Sequence, residues 1–106
     1  MEMEFIEVVV TVPDREKARE IARLVIERCL VACAQISGPV ESIYWWEGKV
    51  ESGQEWVLTM KTKRSLYSRL ESLIRKVHPY KVPQIIALPI IEGYRDYLRW
   101  IESEVR

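Results

Sequence analysis

Net charge, histidine and long apolar runs are what this 106-residue chain has least of. Sixteen Lys and Arg balance sixteen Asp and Glu, so no net field exists to grip nucleic acid or an anionic membrane over a broad face. No stretch approaches the ~20 apolar residues of a membrane-spanning helix. The start, Met1-Glu2-Met3-Glu4, carries no basic n-region of the kind that opens a secretory signal, and the expectation is a cytoplasmic protein. Cysteine is confined to Cys29 and Cys33. Two thiols make no disulfide framework, and without a second Cys/His pair no structural zinc cage can close. Glycine-rich phosphate loops, His-Glu-x-x-His and Gly-x-Ser-x-Gly are missing, as is the aromatic signature of sheet-based RNA binders. The length suits one domain, 1–106, with a modest core.

The single histidine and three of the five prolines fall together in His78-Pro79-Tyr80-Lys81-Val82-Pro83-Gln84-Ile85-Ile86-Ala87-Leu88-Pro89-Ile90. Pro79 biases its predecessor away from helix, so His78 should stand where a helix stops. Upstream, Phe5–Val12 is rich in β-branched residues and reads as a mostly buried strand. Asp14 is a good N-cap. Ala18, Ile21, Ala22, Val25 and Cys29 then recur at helical spacing, giving a first helix from Asp14 to Cys29. A second helix carries Leu66, Leu70, Leu73, Ile74 and Val77 on one stripe. Gln84–Ile90 reads as a last strand, and Pro89 demotes it to a sheet edge. After Gly93 a short C-terminal helix turns Tyr94, Tyr97, Leu98 and Ile101 inward.

Between the first two helices, Cys33–Thr62 shows no helical period. Its strongest turn is Glu47-Gly48, read as a type I turn with a bulge, with Glu51-Ser52-Gly53 as a rival tip or a break in the second arm. Each arm then spans about 40 Å at ~3.3 Å per residue, against roughly 17–20 Å for a typical strand. The helices reach only about 20–24 Å at 1.5 Å per residue. Part of this ribbon must project, and with it Tyr44, Trp45, Trp46 and Trp56. Aromatic rings left in water are costly, so a partner has to cover them, and a second copy of the chain is the simplest one. The resulting order, strand-helix-hairpin-helix-strand plus one helix, is α+β: a ferredoxin-like βαββαβ plan with a long central β-hairpin and an extra C-terminal helix.

The chain resembles the CutA-type divalent-cation tolerance proteins over nearly its whole length. The resemblance is carried by Thr11-Val12-Pro13-Asp14, Leu30-Val31-Ala32-Cys33-Ala34 and Ile43-Tyr44-Trp45-Trp46-Glu47-Gly48-Lys49-Val50. Lys61-Thr62, His78-Pro79-Tyr80-Lys81-Val82-Pro83 and Tyr97-Leu98-Arg99-Trp100 extend it. It implies a tight homotrimer similar in architecture to the PII signalling proteins. It also implies a link to tolerance of copper and other divalent cations, with such a cation as partner or cofactor but not needed for folding. Val10 stands where some relatives have cysteine, and Gln35 where many have asparagine.

Each residue singled out has a functional and a structural reading. His78 is either a metal ligand at a subunit cleft or a helix-terminal histidine matched to the helix dipole. Cys33 is either a soft copper ligand or a small buried apolar residue, and the second is preferred. Glu47 could add a hard oxygen ligand. Tyr44, Trp45, Trp46 and Tyr80 could line a ligand cleft or a subunit interface, the interface being preferred for the ribbon aromatics. Strand alternation puts Trp45 and Trp46 on opposite faces, so both should not line one pocket. Lys61 and Gln35 are cleft candidates, with an ordinary polar-face role open for Lys61. A non-enzymatic metal-tolerance protein leads, ahead of a PII-like module that binds a small metabolite, with an enzyme third.

Overall fold

Every second residue of β1 (Phe5–Val12) is buried, and that alternation builds the domain. In the computed structural model, which describes residues 4–106, Ile6, Val8, Val10 and Val12 point inward; the acidic start at 1–3 lies outside the described residues. Phe5, Glu7, Val9 and Thr11 are only half-buried, so β1 shows a second face to the exterior rather than being buried on both sides. α1 (Arg15–Glu27) follows, capped by the Asp14 carboxylate, which accepts from Lys17 N–H at 2.7 Å. Then come β2 (Cys33–Trp46), β3 (Lys49–Lys63), a 3₁₀ turn at Arg64–Leu66, α2 (Tyr67–Val77), β4 (Ile85–Pro89) and α3 (Arg95–Glu104). The sheet is antiparallel in the order β2-β3-β1-β4, the ferredoxin-like arrangement expected. Pro89 ends the edge strand β4.

Ala18, Ile21 and Val25 of α1 and Leu70 and Ile74 of α2 close over Val8, Val10, Leu58 and Met60, all fully buried. The one fully buried hydroxyl in this layer, Thr62 Oγ1, donates to the Leu30 carbonyl at 2.6 Å. α3 lies across the opposite face of the sheet. Lys63 and Cys33, which alternate away from the core, meet it through Lys63 Nζ–Glu102 Oε2 (2.6 Å) and Cys33 Sγ···Tyr97 Oη (3.5 Å). Ile101 is buried there, but Tyr94 is 75% exposed instead of inward. The helix starts one residue later, so Tyr94 is its N-cap and lies off the apolar stripe.

The hairpin outruns the sheet. β1 pairs with β3 only as far as Val12↔Trp56, whereas β2 and β3 stay paired to Trp46↔Lys49. Seven residues of each arm, 40–46 and 49–55, therefore project as a two-stranded ribbon, about 23 Å at ~3.3 Å per residue. The tip is a two-residue turn with Glu47 at φ 49° and Gly48 at φ 79°. That is type I′ and not a type I turn with a bulge, because two positive φ values match the twist of the flanking strands. Gly53 sits inside β3 opposite Ser42 and is no tip. The bulge is lower down, between Ser37 and Val40, where the Trp56 ring lies against Gly38. A Cβ at Gly38 would stand 2.8 Å from Trp56 Cδ2, so only glycine fits there. Trp56 is thereby half-buried against the core and does not share the exposure of the other ribbon aromatics.

α1 ends two residues earlier than expected, and Cys29 is not on its apolar stripe. Cys29 N–H donates to Ile26 O (2.9 Å) and Leu30 N–H to Val25 O (3.0 Å), with Cys29 itself at φ 58°. This is a Schellman motif with cysteine where glycine is usual. A side chain in the left-handed region is strained by about 1–2 kcal/mol, partly offset because glycine makes the unfolded chain more flexible. Cys29→Gly should therefore raise stability by roughly 0.5 kcal/mol per chain, read as an upward shift of the denaturation midpoint. A downward shift would show that the Cys29 side chain stabilises the fold more than its backbone strain costs.

Candidate functional site

Pro79 forces His78 out of the helix, to φ −76° and ψ 134°, and this turns its ring back into the domain, 8% exposed. Both ring nitrogens are engaged. Tyr80 N–H donates to Nδ1 at 3.1 Å, which assigns the proton to Nε2, and Nε2–H donates to the Thr11 carbonyl at 2.8 Å. The imidazole is neutral. Burial is the main cause holding its pKa below the usual histidine value; the Lys17 ammonium adds to this, while the Thr11 carbonyl and Glu55 oppose it. Metal ligation would require the ring to surrender one of these bonds, because a coordinating nitrogen must offer a free lone pair.

Tyr80 continues the chain of contacts. Its ring tilts against His78 with centroids 4.8 Å apart, and its hydroxyl donates to Glu55 Oε2 at 2.9 Å. Burial, with Glu55 beside it, pushes the phenol well above its usual pKa, so it stays a donor. The segment from Pro79 to Gln84 and the ribbon border an open cavity of about 600 Å³. Tyr44, Trp46 and Glu55 from the ribbon, Tyr80 and Lys81 from the segment, and Thr11 from the sheet line it. Trp45 borders it too, contrary to the expectation from alternation. A free two-stranded ribbon twists more strongly than a strand within a sheet, and facing residues need not stay strictly apart.

The two ribbon faces nevertheless differ. Cross-strand pairing puts Ile43, Trp45 and Val50 on one side and Tyr44, Trp46, Lys49 and Glu51 on the other. Ile43, Trp45 and Val50 are 68%, 74% and 59% exposed, while Tyr44 and Trp46 are 47% and 40%. One face is apolar and bare. The other leans on the cavity.

Cys33, Gln35 and Lys61 form a separate cluster near the far end of the hairpin, under α3. Lys61 Nζ donates to Gln35 Oε1 (3.0 Å) and pairs with Glu7 Oε1 (3.4 Å). Cys33 lies cross-strand from Lys61 and meets the Tyr97 hydroxyl, whose pKa is pushed up to about 12, first by that contact and then by burial. Glu47 stands alone at the tip, about 45 Å of extended strand from Cys33 at ~3.3 Å per residue. Thus His78, Cys33 and Glu47 do not converge within the chain. No group of three His, Cys, Asp or Glu side chains suited to a metal ion occurs among the described residues. Sequence reasoning missed Glu55 and the Thr11 carbonyl; both act through contacts distant in sequence, and no local pattern marks them.

Residues 6–104 match the family model described as CutA1 divalent ion tolerance protein. The chain belongs to the CutA1 divalent ion tolerance family. It is 45% identical over 96 residues to the divalent-cation tolerance protein CutA of Thermus thermophilus, covering 91% of this chain and 93% of that one. It is 43% identical over 99 residues to the chloroplastic CutA 1 protein of Oryza sativa, covering 93% of this chain but only 56% of that longer protein. A solved CutA1 structure from Thermus thermophilus superposes with a TM-score of 0.94 at 41% identity, covering 96% of this chain and 99% of that one. The CutA1 family is named for tolerance of divalent ions and not for a reaction. The His-Pro-Tyr segment and the ribbon tip that carried the resemblance are, in this member, the two walls of the cavity.

A neutral buried histidine gives stability a pH signature. Below about pH 6.5, the reference value, the unfolded chain takes up a proton that folded His78 resists. Stability should therefore fall as pH drops from there through the lower pKa of the folded ring. His78→Gln should flatten that part of a plot of denaturation midpoint against pH. An unchanged slope in the variant would show that other groups control acid unfolding.

Proposed function

We propose that this chain acts in divalent-cation tolerance as a cytoplasmic homotrimer joined through its ribbons, and that it binds copper or another divalent cation instead of transforming a substrate. The observation that supports assembly most is the bare ribbon face of Ile43, Trp45 and Val50. These side chains stay 59–74% exposed, and apolar surface of this kind is stabilised by burial at about 25 cal/mol per Å². The number three rests on the family resemblance. The location draws support from two free thiols, Cys29 and Cys33, which suit a reducing compartment.

Since the described residues of one chain gather no three suitable ligands, a cation is held by side chains of more than one copy, or by two side chains completed with water. Cys33 is the soft donor suited to Cu(I), and Glu47 the hard one. His78 joins them only by releasing Tyr80 N–H or the Thr11 carbonyl. Sedimentation equilibrium should give about three times the 12.5 kDa chain mass. Trp45→Ala should weaken assembly by about 2 kcal/mol or more per interface and weaken copper binding in calorimetry along with it. An intact trimer in Trp45→Ala would reassign the bare face. Copper binding undiminished in a Cys33→Ser, Glu47→Gln double variant would place the ligands elsewhere.

A second reading, a PII-like module that binds a small metabolite, is favoured by one observation: the cavity beside Tyr80 has a size typical of small-ligand sites.

A further inference from the structure

The cavity walls are chemically one-sided. Four aromatic rings, Tyr44, Trp45, Trp46 and Tyr80, line it, and the anionic group among its lining residues is the half-buried carboxylate of Glu55. One Glu55 oxygen accepts the Tyr80 hydroxyl at 2.9 Å. The other has no hydrogen-bond partner among the described residues. The faces of indole and phenol rings attract cations, most strongly where water is partly excluded, and a carboxylate held beside them supplies the counter-charge. Lys81 is the opposing charge. It is exposed, and a lysine stem can line a wall while its ammonium stays in water. Positive charge is therefore disfavoured at the rim and favoured at the floor, where Glu55 and Tyr80 are half-buried.

We propose that this cavity binds an organic cation, an ammonium head on an apolar or aromatic body, with the head between the rings and Glu55. This rests on reading the cavity as a ligand site. It adds the charge class of the ligand and assigns Glu55 as the residue that selects it. His78 serves as a positioning residue, since its Nδ1 holds the Tyr80 backbone that carries one wall. The floor is thus held by backbone and side-chain bonds within one subunit, while the opposite ribbon face remains available for a partner.

Three probes of similar body and different charge test the proposal on the intact assembled protein: benzyltrimethylammonium, benzyl alcohol and benzoate, each at matched ionic strength. Tryptophan fluorescence excited at the red edge of indole absorption reports occupancy. Saturable quenching by the ammonium compound, at least about tenfold tighter than by the alcohol (about 1.4 kcal/mol), with benzoate weakest, is the expected result. Glu55→Gln, which keeps the acceptor for Tyr80, should lose most of that preference. Lys81→Ala, at an exposed position that leaves folding intact, should tighten ammonium binding about twofold. Equal binding of the ammonium and the alcohol would overturn the charge assignment and leave the cavity a ligand site. Saturation by none of the three would overturn the ligand site itself. A preference that survives Glu55→Gln, or one weakened by Lys81→Ala, would remove the proposed counter-charge geometry.

Discussion

A hairpin longer than the sheet that holds it is the constraint on which the rest depends. β1 is eight residues long and β2 and β3 are fourteen and fifteen. Beyond Val12 the ribbon has no third strand, and its two faces must find cover other than by extending the sheet. Isolated two-stranded ribbons are marginal in water. One face of this ribbon is met by the segment after α2, which leaves a cavity between them. The other keeps Ile43, Trp45 and Val50 largely exposed, with Trp45 also reaching the cavity edge. The cavity and the exposed apolar face thus share one origin.

The connection after α2 is stiff because proline and histidine act in sequence. Pro79 removes helix as an option for His78. The ring, turned inward, then bridges two part-buried backbone groups: the Thr11 carbonyl and the Tyr80 N–H. Unsatisfied buried groups cost about 1–3 kcal/mol each, so a neutral imidazole with one donor and one acceptor is well matched to the place. A protonated ring has two donors and would face the Tyr80 N–H with another N–H. The residue that looked most like a metal ligand in the sequence is held in the form whose one lone pair is already used.

Much of the fold was legible because two periods dominate it. Phe5–Val12 matched β1 residue for residue, and the stripes Ala18–Val25 and Leu66–Ile74 marked the helix faces that close the core. The misreadings came from single backbone states. Cys29 fits helical spacing, yet it adopts φ 58° and ends the helix region; periodicity carries no information on handedness. Glu47-Gly48 was found as the turn, but its type depended on Glu47 also taking a positive φ. Trp56 was grouped with the exposed aromatics because strand order, not composition, decides that it stands at the base of the ribbon.

The site was less legible than the fold for a related reason. Tyr80 and Glu55 are twenty-five residues apart and His78 and Thr11 sixty-seven, and sequence patterns report neighbours only along a helix or strand. The resemblance singled out the correct segments, the His-Pro-Tyr turn and the ribbon tip, without saying that they face each other. Once they do, the residues sort by place. Cys33, Gln35 and Lys61 belong to an ion-paired patch under α3, Glu47 to the solvent at the tip, and Tyr44, Trp46 and Tyr80 to the cavity. A cavity lined by four rings and a carboxylate, in a chain whose described residues gather no three metal ligands, has walls better matched to a soft, poorly hydrated cation than to a small, strongly hydrated one. Rings attract charge without replacing a hydration shell of oxygen ligands.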